Sequence, residues 1–185
     1  MNVRHPQHDL AGTERLSLDE AAIEFARSHL GDGTITPASG PWRGQIVELL
    51  NGALATELVC VLRYRRHHFM AAGMASPAIA DEFMAHADAE LGHADRLAAR
   101  IVQLGGEPDF SPARLLDRSH AAYEEASDTK GMVRANLSAE RVAVETYRQM
   151  IALIGDKDPT TRRLLEIILA DEEEHADDMR NLLGP

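Results

Sequence analysis

A single cysteine, Cys60, is present among 185 residues. That excludes a disulfide framework and a cysteine-ligated metal site. Aromatic residues make up only 4% of the chain, while Ala, Leu, Glu and Arg are abundant, a balance that favours helix over sheet. Basic residues are outnumbered, 19 against 30 acidic ones, for a formal net charge of −11. Such a charge argues against a nucleic-acid-binding surface and suits a protein that gathers cations. No unbroken apolar run reaches the length of a membrane span. Met1–Leu10 is polar and lacks the apolar region of a signal peptide. The expectation is a cytoplasmic protein with no membrane partner. Hydrophobic residues are 44%, enough for one sizeable core in one domain.

Turn and cap signals divide the chain into an N-terminal extension, residues 1–40, and a helical domain, residues 41–185. Residues 1–14 read as a flexible tail. Ser17-Leu18-Asp19-Glu20 reads as a capping box opening a short helix to about His29. A linker rich in Gly, Pro and Ser follows over 31–40. Four long helices are expected: about Pro41–Ala72, stopped by Gly73; from Ser76-Pro77 to Leu104, stopped by Gly105-Gly106; from Ser127-Asp128 to Gly155; and from Asp158-Pro159 to just before Gly184-Pro185. Short turns make two antiparallel hairpins. The stretch 107–128, with a short helix inside Ala113–Ala126, is long enough to cross the length of a bundle. The fold expected is all-α: a four-helix bundle with one long crossover, plus a short N-terminal helix.

Each long helix carries an apolar stripe with a glutamate inside it. Ile46, Leu50, Leu54, Val61 and Tyr64 surround Glu57. Phe83, Ala87, Ala94, Leu97, Ile101 and Leu104 surround Glu90. Val133, Leu137, Val144, Tyr147, Ile151 and Ile154 surround Glu140, and Leu165, Ile168, Met179 and Leu182 surround Glu172. Steps of three and four residues place each glutamate on the buried face. A bare carboxylate there is expensive, so something must neutralise it. His93 and His175 each follow a glutamate by three residues and share its face. The halves repeat: Tyr64, Glu90 and His93 follow Glu57 by 7, 33 and 36 residues, and Tyr147, Glu172 and His175 follow Glu140 by 7, 32 and 35. A duplicated helix pair accounts for the register.

Four carboxylates balance two divalent ions with both imidazoles neutral. The mixed oxygen and nitrogen donors suit iron or manganese better than structural zinc. In the expected arrangement Glu57 and His93 complete one ion's shell, Glu140 and His175 complete the other's, and Glu90 and Glu172 bridge. Tyr64 and Tyr147, two turns from Glu57 and Glu140, are placed for hydrogen bonds behind the ligands.

The segments Leu50-Asn51-x-x-Leu54-x-x-Glu57-Leu58, Glu90-x-x-His93 with Leu104-Gly105-Gly106-x-Pro108, and Asp171-Glu172-Glu173-x-His175 resemble bacterioferritin and its ferritin-like relatives over about residues 42–180. The resemblance implies a ferritin-like bundle and a ferroxidase. Such a protein binds Fe2+, oxidises it with O2 or H2O2 and passes it to a mineral core in a hollow shell. On it, Glu57, Glu90, His93, Glu140, Glu172 and His175 match the ligands of two iron ions, and Tyr64 matches the tyrosine beside them. Two features depart from bacterioferritin. Its haem-binding methionine, directly after the first bridging glutamate, is Leu91 here, so no haem is expected by that route. The chain also ends ten residues after His175, where bacterioferritin has a further helix. The N-terminal extension and long crossover are closer to Dps-like mini-ferritins, whose shells have twelve subunits. A homo-oligomer of twelve is expected rather than a 24-mer or a dimer.

Blander readings apply to other residues. Cys60 reads as a small core residue, His67 and His68 as a surface pair near a helix end, and His120 as exposed. His86, four residues before Glu90, could approach the centre. Arg63, Arg65 and Arg66 read as a cluster bridging to a neighbouring subunit rather than to DNA. Two other functions stay open. One is a di-iron or di-manganese oxidoreductase acting on peroxide or a small organic substrate. The other is an acidic structural protein with an idle metal site.

Overall fold

Apolar periodicity of three and four residues dictates helices that must pack face to face, and the computed structural model shows six α-helices among the residues it describes. It describes residues 16–72 and 76–184. The helices are α1 (Glu20–Ser28), α2 (Arg43–Ala72), α3 (Pro77–Gln103), α4 (Leu115–Arg118), α5 (Thr129–Ile154) and α6 (Pro159–Leu183), with short 3₁₀ turns between. No strand occurs among the described residues. The expected flexible tail and the Gly73 stop lie outside them.

The ends of the helices follow from local chemistry. Asp19, not Ser17, caps α1, its carboxylate accepting from the amides of Ala21 and Ala22. Asp128 and Asp158 cap α5 and α6 in the same way. An anionic oxygen satisfies amides that have no intrahelical partner and also meets the positive end of the helix dipole. Ser76 makes no such bond; Pro77 alone fixes the start of α3. Past α3, Gly105 takes φ 73°, and the Gly106 amide returns 2.9 Å to the Ile101 carbonyl. That reversal requires the left-handed region, which glycine enters without strain.

Helices α2 and α3 form one antiparallel pair and α5 and α6 the other, with α2 against α5 and α3 against α6 closing the bundle. By length and composition α2 could cross a membrane, which a search for unbroken apolar runs does not detect. Here it is the central core helix, with Leu50, Leu54, Val59 and Tyr64 buried along it. On α5 the buried face centres on Met132, Asn136, Ala139, Ala143 and Tyr147. The expected Leu137, Val144 and Ile151 are only half-buried. On α6, Leu182 is exposed, because the stripe has rotated off the core by its last turn.

Among the described residues the core has two large apolar bodies and a small third, Ala55, Val59 and Leu115, where the crossover meets α2. One large body, with Leu50, Leu54, Leu97, Ile101, Met150, Ile154, Leu165 and Ile168, fills one end of the bundle. The other large body, with Phe83, Ala87, Met132, Val133 and Met179, fills the other. Each fully buried Leu, Ile or Phe stabilises by about 1.5–3 kcal/mol. That is the reserve against which a polar layer between the two large bodies can be held.

The crossover runs down α2 and is bonded to it at successive turns. Asn51 donates to the Glu107 carbonyl and accepts from the Asp109 amide. The Thr56 hydroxyl accepts from the His120 amide. Arg63 donates to the Ala122 carbonyl and Arg66 to the Ala126 carbonyl. These contacts satisfy loop backbone that would otherwise lie unpaired against the bundle. They also correct the reading of the arginine cluster. Arg63 is fully buried, Arg66 is tied to the crossover, and Arg65 pairs with Asp88 at 3.0 Å. His67 is likewise buried rather than on the surface, its Nδ1 3.0 Å from Asn136 Oδ1. His68 is half-buried against the Ala80 carbonyl at 2.7 Å.

Candidate metal centre

Between the two large apolar bodies lie Glu57 from α2, Glu90 and His93 from α3, Glu140 from α5, and Glu172 and His175 from α6, all buried. Each glutamate sits near the middle of its helix, so antiparallel packing brings all four to one depth. The histidines follow at one turn and point into the same space.

The geometry divides this space in two. His93 Nδ1 lies 2.8 Å from Glu172 Oε1 and 3.4 Å from both Glu57 Oε2 and Glu90 Oε2. His175 Nδ1 lies 3.4 Å from Glu90 Oε1, 3.8 Å from Glu172 Oε2 and 3.9 Å from Glu140 Oε2. Glu90 and Glu172 therefore each show one oxygen to each histidine. Two sets of ligand atoms result: Glu57, Glu90, His93 and Glu172, and Glu90, Glu140, Glu172 and His175, each within 4.8 Å. The two imidazoles lie 5.9 Å apart, 21° from parallel.

Proximity here is not hydrogen bonding. Both oxygens of Glu90, both of Glu172, Glu140 Oε2, and Nδ1 of His93 and of His175 are buried with no hydrogen-bond partner. Leaving one buried polar atom unpaired costs about 1–3 kcal/mol. A folded chain sustains so many in one place when a cation supplies the missing partner. The donor set fits two divalent ions by number, by charge and by its oxygen and nitrogen chemistry.

Without cations the charges redistribute as protons. Burial, with the neighbouring Glu90 charge, pushes Glu57 and Glu172 well above the usual carboxylate range. Burial and Glu90 also raise Glu140. Glu90 goes the other way: burial opposes its charge, but contacts from Glu57, His175 and His93 hold it low. Burial opposes a charged His93 too, yet Glu57 and Glu90 beside it push it up to about 10. His175 is raised through Glu90 and Glu140. Like charges this close cannot all ionise, so the cluster holds protons that cations displace.

The outer contacts cross between halves. Tyr64 on α2 donates to Glu140 Oε1 on α5, and Tyr147 on α5 donates to Glu57 Oε1 on α2. Burial and the adjacent carboxylates raise both phenols well above their usual value. They stay protonated and remain donors. His93 Nε2 lies 3.2 Å from Asp171 Oδ2, which also meets Arg96 at 3.2 Å. This contact fixes the ring with Nδ1 inward.

The comparisons with known proteins agree with this frame. Residues 47–185 match the ferritin-like domain. The chain belongs to the ferritin-like family. It is 33% identical over 146 residues to the nutrient stress-induced DNA-binding protein of a Synechococcus species, covering 76% of this chain and 82% of that one. Its fold is similar to that of a dodecameric thioferritin, the bacterioferritin-related protein of Bacteroides fragilis, at a TM-score of 0.72 and 26% identity over 89% of this chain and 93% of that one. Desulfovibrio desulfuricans bacterioferritin, a protein with a diiron site, superposes at a TM-score of 0.69 and 25% identity over 76% and 79% of the two chains.

Within this ferritin-like chain the structure brings together all eight residues singled out from sequence: Glu57, Tyr64, Glu90, His93, Glu140, Tyr147, Glu172 and His175. Sequence reasoning missed the parts of Asp171 and Arg63; His86, which it held able to approach the centre, does so. Asp171 gave only its place beside Glu172 as a signal. His86 is buried, its ring 4.2 Å from that of His175. Arg63, inside the bundle, donates to Asn136 Oδ1 at 3.0 Å and to Cys60 Sγ at 3.3 Å. A run of arginines on a helix reads as surface, and nothing in the sequence distinguishes the buried one.

Proposed function

We propose that this chain is a ferroxidase and iron store: it binds two Fe2+ as substrate at the buried centre, oxidises them with O2 or H2O2, and releases Fe3+ to a mineral inside a homo-oligomeric shell. The observation that carries the reading is the division of Glu90 and Glu172, each giving one oxygen to either half of the site. Glu57 and His93 complete the ligands of one ion, Glu140 and His175 those of the other. Holding two one-electron donors side by side lets both electrons reach one oxidant, with two protons consumed in reducing H2O2 to two waters or O2 to H2O2. Four carboxylate charges balance two Fe2+ but not two Fe3+; the two added positive charges are offset by hydroxide or oxide from water, which releases protons and gives the anion of the mineral. Tyr64 and Tyr147 hold Glu140 and Glu57 in place throughout. Manganese fits the same donors and is the alternative metal.

The likeness to a dodecameric thioferritin supports a shell of twelve. Exposed Leu62, Phe69, Val102, Leu116 and Leu153 give apolar surface for subunit contacts. We assign no haem at the position after Glu90, because Leu91 offers no ligand atom; a dominant Soret band in the pure protein would overturn this. DNA binding, part of the Synechococcus protein's name, is not carried over. The net charge is −11, and Arg63 and Arg66 hold the crossover instead.

Aerobic Fe2+ loading, then size-exclusion chromatography with iron counting, tests the reading. Storage predicts hundreds of irons co-eluting with a large shell. Uptake that stops at two irons per chain in a small oligomer would leave the alternative, a di-metal oxidoreductase acting on a small substrate.

A further inference from the structure

The duplicated helix pairs are not equivalent around the two histidines. On the His93 side, the residue one turn further along is Arg96, paired with Asp171 at 3.2 Å. The matching residue after His175 is Asp178. One turn before Glu90 stands His86, and the matching residue before Glu172 is Ile168. One turn earlier again Glu82 matches Leu164. The His93 end of the centre is thus flanked by one carboxylate, Asp171, already paired with a guanidinium, and by aliphatic side chains. The His175 end is flanked by two carboxylates and an imidazole.

These three side chains converge. His86 Nε2 lies 3.3 Å from Glu82 Oε1 and 3.8 Å from Asp178 Oδ2. The three ligand atoms fall within 4.8 Å of one another. Accessibility falls steadily inward: the side chains of Glu82 and Asp178 are 41% and 42% exposed, that of His86 4%. The other nitrogen, His86 Nδ1, is buried with no hydrogen-bond partner. His86 also belongs to a second set of potential ligands, with Glu140 and His175. One imidazole therefore adjoins both a half-exposed acidic pair and the inner centre.

We propose that Glu82, His86 and Asp178 form a third divalent-cation site, a loading station from which an ion passes to the Glu140–His175 half of the centre. Two carboxylates and a neutral imidazole balance one divalent charge and leave coordination positions to water. Binding there is weaker and faster to exchange than in the fully buried centre. His86 transfers the ion because its ring lies between the two ligand sets. The Arg96–Asp171 pair gives cations no such lead at the His93 end, so loading is one-sided. This inference rests on the two-ion reading of the inner centre.

The test uses Co2+ as probe on the full chain and on the Glu82→Gln/Asp178→Asn double variant, whose changes are half-exposed and leave the core intact. In crystals soaked in Co2+, the wild type should give anomalous peaks at the two inner positions and a weaker third among Glu82, His86 and Asp178. The variant should keep the inner pair and lose the third. In stopped-flow oxidation at limiting Fe2+ the variant should load about tenfold more slowly, at the lower end of what local charge does to on-rates, with its two-ion stoichiometry unchanged. An inner pair with no outer peak overturns the loading station alone. So does an outer peak that survives in the variant. A wild-type map without the inner pair overturns the two-ion reading and the transfer with it.

Discussion

The hydroxyl of Tyr64, on α2, donates to the carboxylate of Glu140, on α5, and not to that of Glu57 on its own helix. With the reciprocal bond from Tyr147 to Glu57, it ties each hairpin's tyrosine to the other hairpin's ligand. The Tyr64→Phe variant strips a buried carboxylate oxygen of its donor. It should lose about 1–3 kcal/mol of metal-free stability and weaken the ion at Glu140 and His175 by about 10–100-fold. Tyr147→Phe should act on the other ion. Denaturant melts and Co2+ titrations of both variants check this; equal effects on both ions from either variant would contradict the crossed pairing.

Glu90 and Glu172 each face both histidines, so removing them together should abolish paired binding. Equilibrium dialysis should find no tightly held ion pair in Glu90→Ala/Glu172→Ala. Two ions still bound at wild-type affinity would refute the assignment.

Function and stability should oppose each other at this layer. Burial and the charges of Glu90, Glu57 and Glu140 oppose ionisation of Glu172, and Glu172→Gln keeps its shape while removing the cost of either burying that charge or protonating it. The metal-free variant should melt a few degrees above the metal-free wild type, as relief of about 1 kcal/mol of that cost gives in a domain of this size. It should then gain far less from added Co2+ than the wild type does. A metal-free melting point below that of the wild type would show the cluster is not under charge stress.

Asp171 is half-exposed, but it partners the buried His93 Nε2, so Asp171→Ala should cost up to about 1–3 kcal/mol of metal-free stability. It should also weaken one ion, the one on His93, by about 10–100-fold, because the ring loses the contact that orients it. Titration resolving two affinities distinguishes this from a general loss.

His67 supplies a pH dependence distant from the ligands. Burial holds its pKa down to about 4, from 6.5 in the unfolded chain. Between these values the unfolded chain binds the proton and the folded chain does not, so stability falls as pH drops from 6.5 towards 4. Metal-free His67→Gln should show a shallower loss across that window than the wild type. Parallel stability curves for the two proteins would rule out the contribution from His67.

Much of this was written locally. Three-and-four spacing names the helices, Asp128, Asp158 and Pro77 mark their starts, and a glutamate inside each apolar stripe marks the centre. The duplicated register pairs Glu57 with Glu140 and His93 with His175. What spacing could not supply was the phase of marginal stripes. On α5 the buried face turned out to run through Asn136 and Ala139 rather than Leu137 and Val144, because small residues allow close approach to the neighbouring helices.

The sequence by itself determined that four carboxylates and two imidazoles would sit on buried helix faces at one depth, since helical periodicity and turn chemistry act within a few residues. Only the tertiary structure decided which partner each one meets. The Tyr64–Glu140 bond, the burial of Arg63 under the crossover and the placing of His86 between Asp178 and His175 each join helices far apart in sequence. Such contacts depend on the relative rotation of packed helices, a quantity that no single helix encodes.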